Sequence, residues 1–92
     1  MNHKLFKEHE NIIINVLNER QRQDDKFGKN RKQHPLLWNA ILGEEKGEVD
    51  KAILEWHFEG KSLKNYKKEL EEVAAVAIAA LLDLEQNGIP EK

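Results

Sequence analysis

The chain has 92 residues, contains no cysteine, and carries 15 Lys and Arg residues against 17 Asp and Glu residues, for a net charge of −2. A chain of this length forms one small domain. The near-neutral charge argues against a dedicated nucleic-acid-binding protein, and the lack of cysteine excludes disulfides, thiol catalysis and cysteine-bound zinc. The first residues lack the apolar core of a signal peptide, and the longest apolar run, residues 73–82, is about half the length needed to cross a bilayer. These features predict a soluble, cytoplasmic, single-domain protein whose partners include no nucleic acid and no membrane.

Three segments of the chain are predicted to be helices, because glycine and proline occur mainly between them. The first covers about residues 4–25. The second begins at Pro35, which suits the first position of a helix, and ends before Gly60. The third begins after Ser62 as its N-cap and ends before Gly88. No period-two alternation of apolar residues indicates a strand, so the predicted fold class is all-α with three main helices.

The third predicted helix contains a segment, residues 73–82, that has no polar face. Such a segment is typical of a helix surrounded by protein, and two neighbouring helices cannot cover it completely. A short terminal turn could cover the remainder, but a second subunit is favoured because twofold dimers are the commonest way to bury an apolar face. We therefore expect a helical bundle that is completed by homo-oligomerisation.

Charge is unevenly distributed along the chain. Residues 20–34, which include the predicted loop at residues 27–34, carry a net positive charge, whereas residues 44–59 carry a net negative charge. Such a separation would suit a bound cation together with a polyphosphate anion. On this feature alone, a solvated surface with locally uneven charge is the simpler interpretation.

The second predicted helix carries carboxylates on its core-facing side. At about 100° per residue, Glu45 falls near the middle of an apolar stripe and Glu48 near its edge, while Glu44 lies on the flank. A carboxylate in the centre of such a stripe is unfavourable unless it is paired or binds a metal. The apolar stripe consists of Trp38, Ile41, Leu42, Val49, Ala52, Ile53 and Trp56.

The third helix contributes a second pair of carboxylates, since Glu69 and Glu72 are three residues apart and share a face. Antiparallel packing of the two helices would bring both pairs together, and four like charges need a cation or protons. Oxygen ligands suit Mg²⁺ or Mn²⁺, whereas no histidine follows a glutamate at the spacing that a di-iron bundle requires. Lys51 or Lys68 could instead form ordinary ion pairs with these glutamates.

Several segments of this chain resemble one family. Residues 44–48 (EEKGE) and 69–73 (ELEEV) look like the EExxE…ExxD signature of the MazG-like, all-α nucleoside triphosphate pyrophosphohydrolases. Residues 19–28 are similar to the ERxxQDxKWG segment of a subgroup of that family, and residues 34–38 and 73–77 also resemble the subgroup. The similarity covers about residues 16–86. Glu72 stands where the family usually has Asp, and Phe27 where it usually has Trp.

The resemblance implies an enzyme that cleaves a nucleoside triphosphate to a monophosphate and pyrophosphate, with Mg²⁺ as its metal and Mn²⁺ as the alternative. The reaction would cleanse the nucleotide pool, and the enzyme would be a homodimer or homotetramer. The residues that match the metal ligands of the family are Glu45, Glu48, Glu69 and Glu72, and Glu45 thus takes part in catalysis. Glu44 is the candidate for orienting or deprotonating the attacking water.

The substrate-binding candidates lie in and near the positive segment. Lys26, Lys29 and Arg31 would neutralise the departing pyrophosphate, and Phe27 and Trp38 would stack on the base. Trp38 has the alternative interpretation of a core residue, since it lies on the apolar stripe. The alternative function, from a different class, is a catalytically inert helical oligomer that serves as a regulatory or binding module.

Overall fold

Three α-helices form almost all of the computed structural model, which describes residues 2–91. Helix α1 is His3–Phe27, α2 is Pro35–Glu59 and α3 is Leu63–Asn87, and the described residues contain no strand. The all-α prediction with three main helices is therefore confirmed. The first helix is longer than expected, because Phe27 completes its last turn and the following loop begins at Gly28. None of the three described helices combines the length and apolarity needed to cross a membrane.

The helix ends follow from local capping interactions. The side chains of Asn2, His34 and Ser62 each accept a hydrogen bond from a backbone N–H in the first turn of the helix that follows. Such bonds satisfy donors that a helix N-terminus leaves free. Helix α2 is followed by Gly60 as its C-cap, whose backbone is left-handed with a φ of 69° and a ψ of 18°. Glycine adopts this conformation without steric cost, so α2 and α3 are joined by a tight connection at residues 60–62.

Helix α3 lies at the centre of the fold. It packs against both α1 and α2, whereas α1 and α2 do not pack against each other. The start of α2 meets the end of α3, so these two helices form an antiparallel hairpin. Trp38, Val76 and Ala79 form the buried cluster between them, with Ile41, Leu42 and Ala80 partly buried around it.

The protomer leaves much apolar surface uncovered. Its accessible surface of 7187 Å² exceeds the roughly 5,500 Å² expected of a compact monomer with this mass. Its radius of gyration of 15.1 Å likewise exceeds the roughly 12 Å expected for a chain of this length. Within residues 73–82, Ala75, Val76 and Ala79 are buried, but Leu81 is 63% exposed. The three helices therefore form an open arrangement in which α3 is only partly enclosed.

Candidate metal centre

Glu45 of α2 and Glu69 and Glu72 of α3 lie together between the two helices and form what we call the glutamate triad. One carboxylate oxygen from each residue lies within 4.8 Å of the others, and all three residues are partly buried. The antiparallel hairpin explains this arrangement. Glu69 and Glu72 are three residues apart and lie on one face of α3, and α2 brings Glu45 to that face. Three of the four glutamates that the sequence indicated as metal ligands are thus brought together.

Burial and mutual repulsion disfavour the charged forms of Glu45 and Glu69. Burial, followed by the interaction with Glu72, raises the pKa of Glu69 to about 7. Burial, followed by the charge of Glu72, also raises the pKa of Glu45. The Oε2 atoms of Glu45 and Glu69 are both buried and have no hydrogen-bond partner among residues 2–91. The triad therefore presents acceptor oxygens that require a proton or a cation.

The donor set of the triad fits a small, hard divalent cation. Three oxygens bound to one octahedral Mg²⁺ at 2.0–2.1 Å lie about 3 Å apart, or about 4.2 Å where two are opposite, so oxygens separated by up to 4.8 Å would close by about 1–2 Å to bind one ion. Carboxylate oxygens are preferred by Mg²⁺ and Mn²⁺, and water would complete the shell. Glu72 belongs to the triad although the resembling family usually has Asp there, so its longer side chain still reaches the other two carboxylates.

Two further glutamates of α2 lie outside the triad. Glu48, the fourth predicted ligand, and Glu44, the predicted catalytic residue, are both exposed. The charge of Glu48 adds to the raised pKa of Glu69, after burial and the interaction with Glu72, so Glu48 lies near the triad without entering it. Neither Lys51 nor Lys68 forms an ion pair with the triad in the described part of the chain.

Helix α1 contributes contacts to the triad that sequence reasoning missed. Arg22 Nη2 lies 3.5 Å from Glu72 Oε1, and Gln23 Nε2 donates to the backbone oxygen of Glu72 at 3.4 Å. Arg22 also binds Glu19, with its Nε 2.9 Å from Oε2. In the sequence, the signal for this contact is the oppositely charged pair Glu19 and Arg22, three residues apart on α1, but such pairs are common on exposed helix surfaces. The packing of α1 against α3 is what places this pair beside Glu72.

The predicted substrate-binding side chains form a second group near the start of α2. Lys26 Nζ lies 5.0 Å from the centre of the Phe27 ring, and Arg31 Cζ lies 5.3 Å from the same ring. Arg31 Cζ is also 4.9 Å from the centre of the Trp38 ring. The structure thus joins four of the five predicted residues by cation–π contacts. The fifth, Lys29, is exposed in the loop.

Trp38 is a core residue that also borders a cavity. Its indole Nε1 donates to Asp83 Oδ2 at 2.7 Å, and only 6% of the residue is exposed. The cavity beside it has a volume of about 690 Å³ and is largely apolar, with lining residues that include Leu42, Val76 and Ala80. Trp38 precedes Glu45 by two helical turns, which places them about 10 Å apart along the same side of α2.

No protein-family model, curated protein or solved structure matches this chain. The features that bear on its function are therefore the triad, the groups around it and the motif resemblance.

Proposed function

We propose that this protein is a cytoplasmic, Mg²⁺-dependent nucleoside triphosphate pyrophosphohydrolase that acts as a homo-oligomer. The substrate would be a nucleoside triphosphate, and the products would be the monophosphate and pyrophosphate. The single observation that carries this proposal is the glutamate triad with its two buried, unpartnered oxygens. The resemblance of residues 44–48 and 69–73 to the EExxE…ExxD signature supplies the reaction class.

The roles of the residues follow from their positions. Glu45, Glu69 and Glu72 would hold the metal, and Glu48 would join them after a rotation of its exposed side chain. Bound Mg²⁺ would supply Lewis-acid polarisation of a phosphate oxygen and an activated water. Glu44, which precedes Glu45 in α2 and is exposed, would accept a proton from the attacking water.

The cavity beside Trp38 supports a nucleotide substrate. Its apolar lining suits a nucleobase, and its volume of about 690 Å³ is within the usual range for small-molecule sites. The distance of about 10 Å along α2 between Trp38 and Glu45 suits a ligand with a base at one end and phosphates at the other. Lys26 and Arg31 lie beside Phe27 and Trp38 at the base end of this path, so these two side chains and Lys29 would have to swing towards Glu45 to contact the phosphates.

The proposal is tested by incubating the purified protein with canonical and modified nucleoside triphosphates in the presence of Mg²⁺. We expect release of pyrophosphate and the monophosphate from at least one of them. The Glu45→Gln variant should lose at least 100-fold in turnover, since it removes a charged ligand. Glu85→Gln, which changes an exposed glutamate on the same helix as Glu69, is the matched control and should keep full activity.

The assay also separates the enzyme from the inert oligomer. Turnover of no nucleotide in the panel would contradict the proposed activity and favour a regulatory or binding module. Equal turnover by the parent and Glu45→Gln would contradict the proposed site. Release of inorganic phosphate in place of pyrophosphate would contradict cleavage between the α and β phosphates.

The oligomeric state is proposed from the openness of the protomer. The accessible surface exceeds that of a compact monomer by roughly 1,700 Å², which is about twice the roughly 800 Å² that each partner buries in a standard protein–protein interface. Large apolar side chains are exposed on all three helices, among them Ile12, Leu36 and Leu81. A soluble monomer rarely exposes so much apolar surface. A second copy of the chain, as a homodimer or as half of a homotetramer, would complete the bundle.

A further inference from the structure

Arg22 is the one basic side chain that forms an ion pair with the triad among the described residues. It bridges two carboxylates from different helices, Glu19 of α1 and Glu72 of α3. The contact with Glu19 is close, with Arg22 Nε 3.0 Å from Oε1 and 2.9 Å from Oε2. The contact with Glu72 is 3.5 Å, which is longer than an ordinary hydrogen bond. Arg22 is therefore held firmly by Glu19 and only loosely by Glu72.

The three side chains also differ in exposure. Arg22 is 53% exposed, whereas the side chains of Glu19 and Glu72 are only 12% and 14% exposed. The guanidinium therefore lies on the solvent side of the two carboxylates. It can move away from Glu72 into water without opening the packing between α1 and α3, because Gln23 independently contacts the backbone of Glu72.

A divalent cation in the triad would use the same carboxylate that Arg22 contacts. Glu72 belongs to the triad, and Arg22 Nη2 approaches Glu72 Oε1. Two cations sharing one carboxylate within a few ångströms repel each other, and the repulsion is stronger in a partly buried site than in water. The buried, unpartnered oxygens of Glu45 and Glu69 show that Arg22 does not satisfy the other two members of the triad.

We propose that Arg22 is an internal counter-ion that competes with the divalent cation for Glu72 and thereby weakens metal binding to the triad. Metal entry displaces the guanidinium from Glu72 and leaves it on Glu19 at the edge of the site. This inference rests on the proposed metal site but is independent of the reaction that the site performs.

The test is the affinity of the full chain for Mn²⁺ alone, measured by calorimetry and by the electron paramagnetic resonance signal of free Mn²⁺. Arg22→Gln should bind Mn²⁺ about tenfold more tightly than the parent. Lys67→Gln is the matched control, because it removes the same charge from an exposed residue that pairs with Glu71 instead of the triad. We expect its affinity for Mn²⁺ to stay within twofold of the parent.

A second variant keeps the proposal testable if Arg22→Gln folds poorly. Arg22→Lys retains the charge but cannot bridge two carboxylates with a planar fork, so its affinity should exceed that of the parent by a smaller factor. Unchanged or weaker Mn²⁺ binding in the folded Arg22 variants would overturn the counter-ion role. Absence of Mn²⁺ binding in the parent and in all variants would overturn the metal site itself. Tighter binding in Arg22→Gln without any nucleotide turnover would sustain the counter-ion role and contradict only the enzymatic activity.

Discussion

Asp83 shows how a single side chain can fix several parts of this fold. Its carboxylate accepts hydrogen bonds from the Trp38 indole at 2.7 Å, from the backbone N–H of Gln33 at 2.8 Å and from the Asn87 amide at 2.8 Å. These donors belong to α2, to the loop before it and to α3. A buried carboxylate with three donors holds the start of α2, the end of α3 and the basic loop in one arrangement.

The same contacts predict a dependence of stability on pH. The hydrogen bond from Trp38, followed by those from Gln33 and Asn87, lowers the pKa of Asp83 below its ordinary value. A lowered pKa in the folded state contributes stability above the ordinary value near pH 4, and the contribution is lost as the pH falls below it. In urea unfolding, Asp83→Asn should be less stable than the parent at pH 7, and the difference should shrink below about pH 4. Glu8→Gln, an exposed control in α1, should show no such difference; a constant deficit of Asp83→Asn at every pH would contradict the charged role.

At the scale of the helices, two features could be predicted from the sequence: the helix ends, which depend on local interactions, and the contact between the antiparallel helices α2 and α3. Pro35, Gly60 and Ser62 determine the ends of α2 and α3 through neighbouring backbone groups, and these ends were predicted. The meeting of Glu45 with α3 was also predictable, because a short connection requires the two helices to run antiparallel. The edge position of Glu48 on its stripe likewise agrees with its exposure outside the triad.

The contacts of α1 could not be predicted in the same way. Arg22 and Gln23 of α1 approach Glu72, and Asn30 of the loop after α1 accepts a hydrogen bond from Gln86, only because α1 and this loop lie against α3 in one particular orientation. An amphipathic pattern indicates which face of a helix is buried, but it does not indicate which helix packs on that face or at which position along the axis. The residues that could not be predicted are therefore those whose partners are distant in the sequence and lie on another helix.

Two glycines of the hairpin should respond in opposite directions to the same substitution. Gly60→Ala places a Cβ on a backbone with a φ of 69° and should destabilise the protein by about 1 kcal/mol. Gly43→Ala lies inside α2, where an added Cβ meets no atom within 4 Å, and should stabilise the protein by about 1 kcal/mol. The measurement is the free energy of unfolding in urea for both variants and the parent. A change of the same sign at both positions would contradict the structure of the connection.

At the scale of the whole molecule, the open arrangement of the three helices is the dominant feature. The described residues include no large side chain that is completely buried, and the core consists mainly of valine, alanine and one tryptophan. A core this small provides little of the apolar burial that stabilises a domain. The proposed oligomer would offset this deficit by covering surfaces that the protomer exposes.

If the protein is an oligomer as proposed, light scattering at micromolar concentration should give a mass above that of one chain. Leu81→Glu should shift the protein towards the mass of the monomer, 10.7 kDa, because Leu81 is 63% exposed in the protomer and lies on the central helix. Ala75 and Ala79 are unsuitable for this test, since they are buried within the protomer and a glutamate there would disrupt its own packing. Lys64→Glu, an exposed change at the start of the same helix, is the control and should leave the mass unchanged. A mass near 10.7 kDa for the parent would contradict oligomerisation.

Helix α1 packs against α3 but not against α2, and this has a consequence for local opening and hydrogen exchange. A helix held on one side only forms a cooperative unit that can detach while the α2–α3 hairpin remains folded. Its backbone amides would then exchange with solvent hydrogen sooner than those of the hairpin, and its departure would remove Arg22 and Gln23 from Glu72. If the triad binds a cation as proposed, cation binding and local opening of α1 would be energetically linked, because each changes the contacts on the same carboxylate.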